Sequence, residues 1–211
     1  MKKSVSVLLG VLLAATLLCL GSCGDDTAAP DSTTGSSAVL PEEYKAEMTF
    51  KDFGTITLTL KRSFAPITVD HFVKLAKDGS YDGTVITRMQ AGFVLQGGDK
   101  CKDKSTIKGE FASNGVTNMI AHKKGVISMA RTTEPDSASS QFFIVLDDAA
   151  QSSLDGNYAG FGEVTDGWDV IEKICAGFTA EDFTDNPSLG RMGFLKEDSQ
   201  IVIESVKILE D

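Results

Sequence analysis

Strict alternation of apolar and polar side chains over residues 44–50 and 56–60 limits the fold more than any other feature of this sequence. Every second residue of YKAEMTF and of ITLTL is apolar, which predicts two strands that each bury one face. The intervening residues 51–54, KDFG, have the composition of a turn. We therefore expect an antiparallel hairpin at the start of the folded part.

The rest of the pattern combines many strands with few helices. Pro66 begins a helix in which Val69 and Phe72 lie at helical spacing, and Gly79 lies past its end. A second, shorter helix is expected over residues 168–174. Further strand-like runs are residues 84–90, 93–96, 126–130, 141–146, 161–164 and 200–209. Such a pattern, with frequent glycine turns, predicts a mainly β fold, a closed barrel with capped ends, rather than a doubly wound sheet.

The N-terminal residues predict export and anchoring. Lys2 and Lys3 precede an uncharged, Leu-rich run that is shorter than the roughly 20 residues of a membrane-spanning helix and is typical of a signal peptide. The run ends in LGSC, which resembles a bacterial lipobox whose cysteine, Cys23, becomes lipidated. Ordinary signal cleavage and an uncleaved anchor helix are the alternatives.

These features divide the chain into three parts. We predict a lipoprotein signal peptide over residues 1–22, a lipidated Cys23 and flexible linker over residues 23–41, and a folded domain over residues 42–211. The linker is rich in Asp, Ser, Thr, Ala and Pro and has too few apolar residues to fold. The expected location is extracytoplasmic, with the protein anchored to a bacterial membrane by its lipid alone.

Charge and cysteine content exclude several classes of function. With 20 Lys and Arg against 30 Asp and Glu, the net charge of −10 argues against nucleic-acid binding, which needs clustered cations. Cys101 and Cys175 have neither CxxC nor Cys/His spacing, so we expect no metal site and no cofactor, and we expect structural cysteines rather than a redox pair. We expect the domain to be a monomer.

The common catalytic motifs are missing from the sequence: it contains no GxSxG, no HExxH, no phosphate loop and no calcium loop. Five dense segments stand out instead. They are TRMQAGFVLQGGD (87–99), GEFASNGVTN (109–118), HKKGVISMAR (122–131), SASSQFFIVL (137–146) and SLDGNYAGFGEV (153–164). In this order they resemble cyclophilin-type peptidyl-prolyl isomerases, and the resemblance extends from about Tyr44 to the C-terminus.

The resemblance implies a closed, eight-stranded antiparallel barrel capped by two α-helices, with a surface groove for X-Pro segments. It places the catalytic arginine at Arg88, the proline-pocket phenylalanine at Phe93 and a hydrogen-bonding glutamine at Gln96. Arg131 and Thr132 align with the positions whose backbone groups hold the peptide. The remaining substrate-binding positions that it implies are Val94, Gln141, Phe143, Leu154 and Tyr158.

The expected function is peptidyl-prolyl cis-trans isomerisation of X-Pro bonds in exported or surface proteins, which assists their folding. Val94 stands where many family members have Met, and Tyr158 where animal members have a pocket His. One alternative is a binding module that holds proline-containing segments with little turnover. Another is a two-lobed solute-binding lipoprotein. Residues 175–198 match no motif of the family.

Overall fold

A single nine-stranded antiparallel sheet organises residues 40–210, which are the residues that this computed structural model describes. Its strands are β1 (Glu43–Phe50), β2 (Gly54–Lys61), β3 (Val85–Ile86), β4 (Arg88–Gln90), β5 (Val94–Gly97), β6 (Val126–Met129), β7 (Phe142–Val145), β8 (Gly160–Asp166) and β9 (Ile201–Leu209). The α-helices are α1 (Pro66–Lys77), α2 (Gln151–Leu154), α3 (Trp168–Gly177) and α4 (Pro187–Arg191). The predicted signal peptide, Cys23 and most of the predicted linker lie outside the described residues.

The sheet nearly closes into a barrel. Its strand order is β3-β9-β1-β2-β8-β6-β7-β5-β4, so the two end strands are consecutive in the chain and are separated only by Thr87. At Thr87 the N–H donates to the backbone oxygen of Gln96, while the C=O accepts from Leu195 outside the sheet. The expected count of eight strands is therefore wrong, because the run predicted at residues 84–90 is divided where it changes partners.

The predicted hairpin is confirmed. β1 pairs with β2 along its whole length, from Glu43 opposite Lys61 to Phe50 opposite Gly54. The apolar residues of both strands face the barrel interior, where Met48 and Leu58 are fully buried. The alternation in the sequence therefore specifies which face of each strand is buried.

Both predicted helices are present, and two short ones accompany them. α1 and α3 bury apolar faces in the interior core, with Phe72 and Ile171 fully buried. α2 and α4 have four and five residues, which is too short for a helical period to be recognised in the sequence. The expected cap of two helices is therefore incomplete. Within residues 40–210, no helix is long and apolar enough to cross a membrane.

A buried carboxylate binds the N-terminus of α1. Ala65, the residue before the helix, offers no side-chain acceptor. Glu110, only 2% exposed, accepts from the Ile67 N–H at 3.1 Å, and from the Thr68 N–H at 2.8 Å and hydroxyl at 2.7 Å. A negative charge at the positive end of a helix is stabilising. The GEFASNG segment is thereby attached to α1.

β7 separates two apolar clusters. Phe142 is fully buried in the interior core, whereas its neighbour Phe143 belongs to a second, smaller cluster with Val94 and Leu154. Successive side chains of a strand point to opposite faces. The second cluster therefore lies on the opposite face of the sheet from the interior core, and it forms the base of the candidate site.

Candidate functional site

Three neighbouring strands bring the central residues of the site into one row. Arg88 on β4 lies opposite Gln96 on β5, and Gln96 lies opposite Phe143 on β7. Residues directly opposite on antiparallel strands share a face. The row thus places a cation, an amide and an aromatic ring side by side on the face away from the interior core.

The residues predicted for the site surround two adjoining pockets. The first, of about 100 Å³, is lined by Arg88, Phe93, Val94, Gln96, Ala130, Arg131, Phe143, Leu154 and Tyr158. The second, of about 160 Å³ and more polar, is lined by Gln96, Ala130, Arg131, Thr132, Ser137, Ser139 and Gln141. The two pockets share Gln96, Ala130 and Arg131. The structure therefore brings together all ten residues that the sequence proposed.

The guanidinium of Arg88 is held by neutral oxygens. Nε donates to the backbone oxygen of Met192 at 2.6 Å, and Nη1 donates to Oε1 of Gln96 at 3.3 Å. Nη2 donates to Oε1 of Gln90. Arg88 Cζ also lies over the rings of Phe93 and Phe194, 5.6 and 5.7 Å from their centroids.

The charge of Arg88 is not neutralised by a neighbouring carboxylate. Among residues 40–210, no Asp or Glu lies within ion-pair distance of its guanidinium. Burial lowers the pKa of Arg88 below its ordinary value. Because a guanidinium stays protonated in proteins, the site nevertheless retains its positive charge.

A chain of side-chain amides continues from Arg88 into the second pocket. Gln96 accepts from Arg88 through its oxygen and donates through Nε2 to Oε1 of Gln141 at 2.9 Å. Gln141 in turn donates to Asp99 at 3.2 Å. The amides of both glutamines are thereby fixed in orientation, because each uses its oxygen and its nitrogen at once.

A buried network supports the ring of Phe143. His122, 1% exposed, stacks at 6.2 Å from that ring and bonds through Nε2 to the hydroxyl of Ser128 at 2.9 Å. Its Nδ1 bonds to Asp155 at 2.9 Å. Burial lowers the pKa of His122, although its bond to Asp155 opposes the shift. Leu154, beside Asp155 in the chain, is thus held against the pocket.

Asp155 remains a carboxylate in this network. Partial burial alone would raise the pKa of Asp155, but hydrogen bonds from the backbone N–H of His122 and from Gln151 lower it below its ordinary value of 3.8. Tyr158 packs edge-on against Phe143, with ring centroids 5.4 Å apart. The pocket wall is thus fixed by both polar and aromatic contacts.

Arg131 and Thr132, the two positions whose backbone groups are expected to hold the peptide, differ in how many of those groups are free to form hydrogen bonds. Thr132 is already engaged, since its N–H donates to the hydroxyl of Ser137 at 2.9 Å and its C=O accepts from Arg131 Nη1 at 2.8 Å. Within the described residues, the backbone N–H and C=O of Arg131 have no hydrogen-bond partner. Arg131 therefore offers a peptide both a free N–H and a free C=O, whereas at Thr132 only the second lone pair of the C=O is left.

Three residues that contact Arg88 were not identified in the sequence. Gln90 lies two positions from Arg88 on β4, and the period of two alone would have placed it on the same face. Met192 contributes its backbone oxygen, which no side-chain pattern reveals. Phe194 lies in residues 175–198, for which the sequence offered no motif.

The described part of the chain contains no grouped metal ligands and two cysteines. Over residues 40–210, no three His, Cys, Asp or Glu side chains are grouped to hold a metal ion. Cys101 and Cys175 are both free thiols. Burial raises the pKa of Cys175 to about 11, which disfavours the reactive thiolate at neutral pH.

Comparison with known proteins identifies the family. The model of the family described as cyclophilin type peptidyl-prolyl cis-trans isomerase/CLD matches residues 45–193, which include the whole site as far as Met192. The chain belongs to this family. The expected enzyme class, peptidyl-prolyl cis-trans isomerase, is confirmed at the level of the family, and membership implies proline-containing polypeptides as substrates.

Two bacterial relatives illustrate the similarity. Peptidyl-prolyl cis-trans isomerase A of Dickeya dadantii is 43% identical over 130 residues, which cover 57% of this chain and 66% of that protein. Peptidyl-prolyl cis-trans isomerase B of Escherichia coli is 36% identical over 171 residues, which cover 74% of this chain and 95% of that protein.

A solved cyclophilin supports the fold. The crystal structure of a cyclophilin type peptidyl-prolyl cis-trans isomerase from Cryptosporidium parvum superposes with a TM-score of 0.63 and covers 80% of this chain and 99% of its own. At 21% sequence identity, the likeness shows that the two share a fold and nothing beyond it.

Proposed function

We propose that this cyclophilin catalyses cis-trans exchange of X-Pro bonds by hydrogen bonding from Arg88 to the prolyl nitrogen as the bond twists. The observation that carries the proposal is the setting of Arg88. Its guanidinium is positively charged and half-buried, it lies at the edge of the apolar pocket, and all of its hydrogen-bond acceptors are neutral oxygens. Three of its five N–H donors have partners, so two are left for a substrate.

The chemistry requires no acid, base, nucleophile or metal. The barrier of about 18–20 kcal/mol arises from amide resonance, and uncatalysed exchange takes tens of seconds or longer. Twisting removes the resonance and localises a lone pair on the prolyl nitrogen. A charged donor binds that lone pair more strongly than it binds the planar amide. Preferential binding of the twisted state is catalysis.

The apolar pocket is suited to the pyrrolidine ring. Phe143 and Leu154 are 3% exposed and form its base, and half-buried Phe93 forms a wall beside Arg88. The ring would be held there while the preceding carbonyl rotates in the open groove. The free backbone groups of Arg131 and the fixed amide of Gln96 would bind the peptide on either side of the proline.

The test is the exchange rate of an X-Pro tetrapeptide, measured by NMR with the full chain and with Arg88→Ala. We expect wild-type acceleration and a loss of about two orders of magnitude in kcat/KM in the variant, equivalent to about 2.7 kcal/mol of transition-state stabilisation. No acceleration by the wild type would favour the alternative of a binding module, whereas equal acceleration by both proteins would refute the role of Arg88. The two-lobed solute-binding alternative does not fit the single barrel of residues 40–210.

We also propose that the enzyme acts on exported or surface polypeptides from a lipid anchor at Cys23, as a monomer. The support lies in the sequence, where the LGSC segment precedes a polar linker. The signal peptide over residues 1–22 and the linker over residues 23–41 remain predictions. We expect the wild type to incorporate radioactive palmitate and Cys23→Ala to incorporate none. We also expect the variant to be lost from the membrane fraction. Equal labelling of the two would refute the anchor.

A further inference from the structure

The connection between α3 and β9, residues 178–200, is closed on itself by hydrogen bonds. Thr184 donates its N–H to the backbone oxygen of Phe194 at 3.0 Å, and Lys196 donates to that of Asp182 at 2.8 Å. At its centre, Asn186 caps α4 by accepting from two backbone N–H groups. The α3–β9 connection is therefore a defined structural unit.

This unit pairs with the strand that carries Arg88. The Met89 N–H donates to the backbone oxygen of Gly193 at 2.8 Å, and the Leu195 N–H donates to that of Thr87 at 2.9 Å. β4 lies at the end of the strand order, so one of its edges has no neighbour within the sheet. The α3–β9 connection occupies that edge.

Glycine is required at the point of contact. Gly193 has φ of +83°, a left-handed conformation that disfavours other residues, and a Cβ there would collide with the backbone oxygen of Met89. The residues on either side of Gly193 are the two residues of the α3–β9 connection that contact the guanidinium of Arg88. Met192 accepts from Nε of Arg88 at 2.6 Å, and the ring centroid of Phe194 lies 5.7 Å from its Cζ.

These contacts restrict a side chain that would otherwise be mobile. A free Arg side chain has about 2 kcal/mol of rotamer entropy. Donors that are already oriented need no rearrangement as charge develops in the transition state. The carbonyl of Met192 occupies Nε of Arg88, and the ring of Phe194 lies beside the guanidinium. The N–H donors on the two Nη atoms are therefore the ones that can reach a peptide.

We propose that Met192 and Phe194 are positioning residues, which hold Arg88 in the orientation that isomerisation requires. The inference rests on the proposed role of Arg88 and adds that the α3–β9 connection sets the turnover rate without binding the peptide. Affinity for the peptide should then be nearly independent of Phe194.

The test compares Phe194→Leu with Phe194→Tyr and a matched control. Phe194 is half-buried, so its substitution by Leu should leave the fold intact. Phe183→Leu makes the same change within the same connection, where the ring lies 6.3 Å from Phe178 and is not among the contacts of Arg88. For each full-length variant, kcat and KM for an X-Pro tetrapeptide are measured, together with the exchange rate of the Arg88 Nε–H proton with water.

We expect Phe194→Leu to lower kcat about tenfold with KM within twofold, and to speed exchange of the Nε–H proton. Phe194→Tyr, which keeps a ring, should restore both values to within threefold. Phe183→Leu should match the wild type. Unchanged kcat and proton exchange in Phe194→Leu would overturn the proposal, and so would an equal loss in Phe183→Leu. If Arg88→Ala itself retains full activity, the proposed catalytic role fails instead, while the proton exchange still decides whether Phe194 orients Arg88.

Discussion

Placing a carboxylate beside Arg88 should slow the enzyme, although the guanidinium would gain an ion pair. Gln96 offers the site for this change because its Oε1 lies 3.3 Å from Nη1 of Arg88. In Gln96→Glu the new charge would neutralise the guanidinium at nearly constant volume. A hydrogen bond with an ionised partner contributes about 1.5–3 kcal/mol against about 1 kcal/mol for a neutral one. We therefore expect a loss of about 1–1.5 kcal/mol of transition-state stabilisation, roughly tenfold in kcat.

The matched control is Gln96→Met, which removes the same acceptor without adding charge. Because that hydrogen bond is long, we expect kcat to fall no more than about threefold, on the order of 0.6 kcal/mol. Both variants would be assayed by NMR exchange of an X-Pro tetrapeptide at saturating concentration. The reasoning is refuted if Gln96→Glu keeps the wild-type kcat, or if Gln96→Met loses as much as Gln96→Glu.

Three further predictions concern stability and binding. Glu110→Ala should lower the free energy of unfolding by about 2–4 kcal/mol in urea titrations, because three donors at the start of α1 lose a charged acceptor; a loss below 0.5 kcal/mol would contradict this. Phe93→Ala, at a half-buried position, should raise KM about tenfold with little change in melting temperature. Phe143→Ala should raise KM as well, and because Phe143 is buried it should also lower the free energy of unfolding by about 3–5 kcal/mol. Burial lowers the pKa of His71 and His122 below 6.5, so near that pH the unfolded chain binds protons that the folded chain does not. The free energy of unfolding should therefore decrease as the pH drops below about 6.5, by at most about 1.4 kcal/mol per pH unit for each histidine. This pH dependence should be weaker in His71→Gln.

The barrel is largely predictable because its signal is local. Alternation over β1 and β2 fixes which side chains face the core, and Pro66 fixes where α1 begins. The count of strands is not predictable in the same way. Residues 84–90 form one strand-like run in the sequence, but Val85 and Ile86 pair with β9 whereas Arg88–Gln90 pair with β5, so the strand divides at Thr87. The local periodicity of a strand does not indicate which distant strand it pairs with.

In the site, as in the barrel, features with a local sequence signal were predictable and features that depend on distant contacts were not. The ten predicted site residues were placed by the resemblance of the dense motifs to the family, and a shared strand face supports Gln141 and Phe143. Ala130, Ser137 and Ser139 also line the pockets and were not predicted. The contacts from the α3–β9 connection were missed because one acts through a backbone oxygen, at Met192. The engagement of the Thr132 backbone was missed because it depends on a loop hydrogen bond to Ser137. Sequence reveals which side chains are present, whereas loop closure decides which backbone groups are free.

The central claim is that Arg88 stabilises the twisted amide rather than holding the planar peptide. The most direct measurement is the cis-trans exchange rate of an X-Pro tetrapeptide while it is bound, obtained by NMR alongside its dissociation constant, for the wild type and Arg88→Ala. We predict that the on-enzyme rate falls about a hundredfold, equivalent to about 2.7 kcal/mol, while the dissociation constant changes less than threefold. An unchanged on-enzyme rate, or a loss that appears only as weaker binding, would contradict this account.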